Sequence, residues 1–156
     1  MKILSKSAAD TIKIGRKIAK NLKKGDIICL FGDLGSGKTV LTKGIACGLG
    51  VSKERIISPS FILVRRYQGK SHPVYHFDLY RLRKPQDILV LGYEEYLYDE
   101  AVSVIEWADR LEYLLPGEFL KIELEVSGKN QRRIKFSSSG SRYRKIMDKI
   151  HEDLSA

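Results

Sequence analysis

Apolar residues first recur at helical spacing, with Ile12, Ile18, Ala19 and Leu22 following the capping candidates Ser5 and Ser7 and preceding Gly25 as a stop. A helix is predicted over residues 8–23. The unbroken apolar run Ile27-Ile28-Cys29-Leu30-Phe31 predicts a buried strand, and helical character returns over 40–49 before Gly50. The period then changes to two. Residues 61–67 and 74–78 are β-rich runs on either side of Gln68-Gly69-Lys70-Ser71-His72-Pro73, the pattern of an antiparallel hairpin. Residues 84–100 read as short helices, with Pro85 in a first turn and Gly92 as an interruption. The compact strand 101–105 ends in Glu106-Trp107, and a helix to Leu115 and a Pro116-Gly117 turn follow. Residues 119–126 and 132–137 alternate around Ser127-Gly128-Lys129-Asn130 as a second hairpin. Without internal repeats, these elements predict an α/β fold with a mixed, mainly parallel central sheet and antiparallel hairpins.

Between the first strand and the second helix lies Gly32-Asp33-Leu34-Gly35-Ser36-Gly37-Lys38-Thr39, a complete G-x-x-x-x-G-K-[ST] phosphate-binding loop. The strand before it and the helix after it are the context this motif requires. Glycines let consecutive N–H groups turn inward around phosphate oxygens, and the helix N-terminus adds partial positive charge. Residues 33–39 are therefore expected to hold a nucleoside triphosphate. Lys38 would reach the β and γ phosphates, and the Thr39 hydroxyl would face the accompanying Mg²⁺. The base is not encoded here.

With 156 residues and 43% hydrophobic content, the chain can bury one core and is too short for two ordinary domains. No stretch approaches the roughly 18 uninterrupted apolar residues of a membrane span, and residues 1–6 lack the apolar centre of a signal peptide. A cytoplasmic protein with no membrane partner is expected. Cys29 and Cys47 have neither paired short spacing nor a neighbouring histidine, so both read as reduced core residues.

The formal charge of +9 favours an anionic partner beyond the nucleotide. Much of it lies between Lys129 and Lys149, where Arg132, Arg133, Lys135, Arg142, Arg144 and Lys145 face the single acid Asp148. The cations of residues 13–24 are read as an ordinary solvated helix face. Residues 137–141, Ser-Ser-Ser-Gly-Ser, read as a hinge. They divide a P-loop domain, residues 1–140, from a basic C-terminal helix, 141–156. That helix is either an appendage offering a salt-sensitive contact to an anionic partner or part of the core through Tyr143, Ile146, Ile150 and Leu154.

A phosphate loop needs acids that hold Mg²⁺ and orient water, and carboxyl ends of neighbouring strands are where they belong. Asp78 and Glu106 sit there, each open to the alternative of a surface acid. Ser60, in Ser58-Pro59-Ser60-Phe61, is either a switch hydroxyl sensing the γ-phosphate or part of a simple turn. Trp107 either packs in the core or covers the site. His72 and His76 lack the companions of a metal ligand. Arg132 and Arg133 are expected to act on the nucleotide site or the adjoining partner surface.

Taken in order, Gly-Asp-Leu-Gly-Ser-Gly-Lys-Thr (32–39), Lys-Gly-Ile-Ala (43–46), Ser-Pro-Ser-Phe (58–61), His-Phe-Asp-Leu-Tyr-Arg-Leu (76–82), Leu-Gly-Tyr-Glu-Glu-Tyr (91–96) and Ile-Glu-Trp (105–107) resemble the TsaE family. The match spans about residues 8–136. It implies a single-domain P-loop ATPase of bacterial tRNA threonylcarbamoyladenosine (t⁶A) synthesis, with weak intrinsic hydrolysis. The implied partners are the TsaB and TsaD proteins, with tRNA met through them or through the basic tail. It further implies Thr39 and Glu106 as Mg²⁺ ligands, Lys38 as the phosphate clamp and Asp78 as the water-orienting acid. The family commonly has Thr where this chain has Ser60, which keeps the hydroxyl and loosens its rotamer. Two other functions use the same loop: a P-loop kinase for a small metabolite, and a nucleotide-gated tRNA-binding module without turnover.

Overall fold

The computed structural model describes residues 1–57 and 61–156. Seven strands form one sheet: β1 (Lys2–Ser5), β2 (Ile27–Phe31), β3 (Val64–Gln68), β4 (Pro73–Asp78), β5 (Val102–Glu106), β6 (Phe119–Val126) and β7 (Arg132–Ser139). Their order is β1-β7-β6-β2-β5-β4-β3. The β6-β2, β2-β5 and β5-β4 pairs are parallel, whereas β1-β7, β6-β7 and β3-β4 are antiparallel. The expected mixed sheet with a parallel centre and two antiparallel hairpins is thus observed.

Period-two alternation sorts each central strand onto two faces. Ile28 and Leu30 of β2, Val102 and Val104 of β5, and Leu120, Ile122 and Leu124 of β6 enter one core. Helices α1 (Ala8–Ala19), α2 (Lys38–Gly48) and α4 (Ser141–Ser155) contribute Ile14, Ile18, Leu41, Ile45, Tyr143, Ile146 and Ile150 to it. Ile27, Cys29, Tyr75, Phe77 and Ile105 turn to the opposite face. There, 3-10 segments Pro85–Leu91 and Ala108–Leu114 and the short α3 (Tyr93–Leu97) cover them.

α1 starts where Ser7 accepts the Asp10 N–H at 3.0 Å, so Ser7, not Ser5, is the cap. It packs closely on α2 at two glycines: a Cβ on Gly44 would lie 2.4 Å from the Ile12 carbonyl oxygen, and one on Gly15 would lie 2.8 Å from the Gly44 backbone. This contact fixes the height of α2 above the sheet, and with it the loop that precedes α2.

Four expectations are corrected. β1 was not foreseen, because Lys2-Ile3-Leu4-Ser5 is too short to show a period and is ordered by pairing with β7. β3 begins at Val64, not at residue 61, since Leu63 takes a left-handed backbone with φ of 65°. The helix after Trp107 is a 3-10 segment broken at Glu112, whose φ is 48°. The serine run is not a hinge: Ser137 and Ser138 pair with Lys121 and Leu120, and Ser139 with Phe119, inside β7. Small hydroxyl residues resemble a linker in composition, but their backbone pairs in a ladder as any residue's does, and all three are half-buried.

Candidate functional site

β2 delivers the phosphate loop at its carboxyl end, between parallel neighbours β5 and β6. The loop bends through Gly32, Gly35 and Gly37, whose φ angles are 149°, 78° and 103°. At Gly32 a side chain is also excluded by space, because a Cβ would sit 2.4 Å from the Leu124 carbonyl oxygen. Lys38, the first residue of α2, directs its Nζ into the loop, donating to the Gly32 carbonyl at 2.6 Å and the Asp33 carbonyl at 2.9 Å. Ser36 Oγ accepts from it at 3.3 Å. Burial pushes the Lys38 ammonium below its usual range, against the pull of Glu106, Asp109, Asp78 and Asp33.

The alternation that places Val102 and Val104 beneath α2 places Glu106 there too, at the end of β5. Thr39 Oγ1 donates to Glu106 Oε2 at 2.9 Å. Thr42, one turn of α2 on from Lys38, lies 2.9 Å from Glu106 Oε1 and equally 2.9 Å from the Lys38 carbonyl, so its single proton has two acceptors. His76 Nε2 reaches the same Oε1 at 3.0 Å. Glu106 is 1% exposed, so these contacts hold a buried carboxylate. In register with it across the parallel pair stands Asp78 of β4, also buried, with Oδ1 accepting the Tyr80 N–H at 3.1 Å.

A cleft of about 390 Å³ opens over these groups, lined among others by Leu34, Gly35, Gly37, Lys38, Thr39 and Val40 of the loop and α2. Asp78, Tyr80, Glu106, Trp107 and Arg132 complete it. The Trp107 and Tyr80 rings lie 5.0 Å apart. Trp107 takes a left-handed backbone with φ of 57°, an uncommon state for a bulky residue and one that turns the chain out of β5 toward the cleft. Arg132, from the start of β7, donates through NH2 to the Gly35 carbonyl at 3.1 Å.

Of the residues singled out from sequence, Leu34, Gly35, Gly37, Lys38, Thr39, Asp78, Glu106, Trp107 and Arg132 come together here. Asp33 and Ser36 belong to the loop but also line a separate surface cavity, where Arg133 lies paired to Glu125 at 2.9 Å. Ser60 lies outside the described residues. Thr42, His76, Tyr67 and Tyr80 were not anticipated as contributors. Thr42 could have been found from its helical offset to Thr39, and His76 from its period-two offset to Asp78.

The donor set suits Mg²⁺ with a nucleotide. Thr39 and Glu106 offer hard oxygen donors, and among the described residues no group of three or more His, Cys, Asp or Glu could hold a metal. A Mg²⁺ ion held by one or two protein oxygens and completed by phosphates needs no such group. The loop backbone is open toward the cleft at Gly35, where an added Cβ would meet nothing within 4 Å.

Fold and loop define a P-loop α/β protein. The family model described as Threonylcarbamoyl adenosine biosynthesis protein TsaE matches residues 5–134. The tRNA threonylcarbamoyladenosine biosynthesis protein TsaE of Bacillus subtilis (strain 168) is 38% identical over 149 residues, covering 94% of this chain and 92% of that relative. The protein of the same name from Treponema pallidum (strain Nichols) is 39% identical over 134 residues, or 86% and 98% of the two chains. The crystal structure of Bacillus subtilis YdiB superposes with a TM-score of 0.84 at 33% identity, covering 97% of this chain and 94% of that one. The chain belongs to the TsaE family.

Proposed function

We propose that this protein is a Mg²⁺-dependent ATPase of the t⁶A pathway, with weak intrinsic hydrolysis, acting beside the TsaB and TsaD proteins. The observation that carries the reading is the Lys38–Thr39–Glu106 constellation at the carboxyl end of β2 and β5, under a cleft the phosphate loop enters. Loop N–H groups and the α2 N-terminus bind the phosphate chain, and Lys38 exchanges its carbonyl acceptors for phosphate oxygens. Thr39 gives its only hydroxyl proton to Glu106, so the lone pairs of Oγ1 remain for the cation. Bound Mg²⁺ supplies charge neutralisation at the β and γ phosphates. Asp78, at the cleft and beside Glu106 in the sheet, orients the attacking water and takes its proton. Arg132 braces the loop at Gly35.

The family name brings tRNA into the pathway, met through the partner proteins or through the exposed cations of α4. Among the described residues no helix is long and apolar enough to cross a membrane. The reading implies a cytoplasmic protein. Phosphate release measured with and without TsaB and TsaD tests it: release without an added acceptor, raised by the partners, is expected. Release only when a small acceptor is supplied would favour the kinase, and stoichiometric binding without turnover would favour the gated binding module.

A further inference from the structure

A buried hydrogen-bonded chain leaves the metal-ligand candidate through His76 and Tyr67, neither of which lines the cleft. His76 Nε2 meets Glu106 Oε1 at 3.0 Å, and His76 Nδ1 faces the Tyr67 hydroxyl at 3.3 Å. That hydroxyl donates to the Ile57 carbonyl at 2.7 Å and accepts the Ile57 N–H at 3.2 Å. His76 is 0% exposed and Tyr67 4%. Burial pushes the Tyr67 phenol above its usual range, which keeps it a proton donor.

Proton inventory makes this chain a coupling and not only a set of satisfied polar atoms. A carboxylate only accepts, so the contact to Glu106 puts a ring proton on Nε2. In that tautomer Nδ1 is an acceptor, and the single phenol proton has two claimants: Nδ1 and the Ile57 carbonyl. The shorter contact is to Ile57. Moving the Ile57 backbone would let the hydroxyl turn its O–H toward Nδ1, with the proton staying on the phenol, and change how His76 holds Glu106. Ile57 is half exposed, so burial does not pin its backbone as it pins Tyr67 and His76.

We propose that Tyr67 and His76 are positioning residues that tie the backbone at Ile57 to the Glu106 carboxylate, so that Mg²⁺ affinity at Thr39 and Glu106 and the conformation at Ile57 set one another. The inference rests on the reading of Glu106 as a metal ligand given above. By linkage the effect is reciprocal: whatever the metal site does to Ile57, Ile57 does to the metal site. Apolar residues would fill the same positions, as Val74 does two residues before His76 on the same face, so burial alone does not require this pair.

The test uses the full chain with Tyr67→Phe, which removes the hydroxyl and keeps the ring. His76→Gln cuts the chain at the next link: it keeps a donor for Glu106 and has no second nitrogen for Tyr67. Three quantities are read: ADP affinity in chelator, the Mg²⁺ concentration for half-maximal ATP hydrolysis, and amide exchange at Ile57 with and without Mg²⁺ and a non-hydrolysable ATP analogue. In the wild type the Ile57 amide should change its exchange on adding analogue and metal. Both variants should lose that response, keep metal-free ADP affinity within about twofold, and need about fivefold more Mg²⁺, the equivalent of one ordinary hydrogen bond. A purely structural pair would raise Ile57 exchange equally with and without ligand and leave the Mg²⁺ requirement unmoved, which overturns the proposal. Should Tyr67→Phe fail to fold, His76→Gln decides by the same readouts. A wild type without Mg²⁺-dependent turnover overturns the ATPase reading and this inference with it, whereas normal wild-type turnover with unmoved variants overturns the coupling alone.

Discussion

The Lys38 ammonium lies 3.9 Å from the centroid of the Trp107 indole, so the charge we assign to phosphate binding rests against the ring that follows Glu106. A cation over an indole face is attracted by the ring quadrupole and perturbs its electronics. Phosphate oxygens should draw Lys38 toward the cleft and off this face. Trp107 is the sole tryptophan, so addition of ATP and Mg²⁺ should change its fluorescence. A flat titration, under conditions where binding is shown independently, would mean that Lys38 does not leave the ring.

Lys38→Ala should weaken ATP binding and abolish turnover, because the loop loses its only ammonium. Wild-type affinity in that variant would sink the nucleotide reading. The depressed pKa of Lys38 adds a pH dependence whose sign follows from linkage. Phosphate oxygens favour the charged ammonium and raise its pKa on binding. Affinity should therefore be full below the free-protein value and fall as pH rises above it, through the range below the ordinary lysine pKa. A calorimetric ADP titration across the alkaline range should show proton uptake there; pH-independent affinity would contradict it.

Glu106→Gln should keep metal-free ADP binding and lose most Mg²⁺-dependent turnover, since an amide is a poorer ligand for a hard cation and its NH₂ cannot accept from Thr39 or Thr42. Asp78→Asn should lower kcat more than it raises KM, as expected of a group that orients water. Normal hydrolysis in both variants would show the two acids to be misassigned.

The phosphate loop was legible because all its constraints are local: a strand, glycines at fixed offsets and a helix. Asp78 and Glu106 were legible as strand ends, and their register opposite one another follows once β4 and β5 pair in parallel. What the sequence hid is what tertiary packing decides. His76 looked like an unaccompanied histidine because its partners, Tyr67 and Glu106, lie nine and thirty residues away and meet it only through the sheet. Arg132 could be placed near the site but not at Gly35, since its reach depends on β7 returning beside β6. The serine run of β7 reads as a hinge because composition carries no information about a ladder, and of the two alternatives open for the tail helix the packed one is observed, through Tyr143, Ile146 and Ile150.

That tail supplies the last prediction. α4 is anchored at its start, where Arg142 NH2 meets the fully buried Asp26 carboxylate at 2.6 Å and the Tyr143 hydroxyl accepts the Ile27 N–H at 2.9 Å. Burial drives the Tyr143 phenol up to about 12, so the hydroxyl stays protonated through the neutral range. At its far end, Lys17 of α1 and Asn21, just beyond that helix, donate to the carbonyl and the carboxylate of Asp153. Removing the helix would expose the surfaces under Tyr143, Ile146 and Ile150, each worth about 1.5–3 kcal/mol on burial. It would also strip Asp26 Oδ1 of its ion pair and the Ile27 N–H of its acceptor, leaving Asp26 only the Lys23 N–H on Oδ2. A chain ending at Ser139 should therefore melt far below the wild type or fail to fold, given total stabilities of about 5–15 kcal/mol. Tyr143→Phe, which removes one acceptor, should cost about 1–3 kcal/mol. The outer face is a separate matter: Lys145 and Lys149 are exposed on a groove shared with Lys23 and Arg142. Lys145→Ala with Lys149→Ala should leave the melting temperature within about 2 °C, as surface changes do. If α4 touches the tRNA of a loaded TsaB and TsaD complex, the same pair should weaken binding and lower the salt slope by roughly one for each phosphate the protein no longer neutralises. An unchanged slope would leave α4 a core helix with a solvated outer face and confine the tRNA link to the partner proteins.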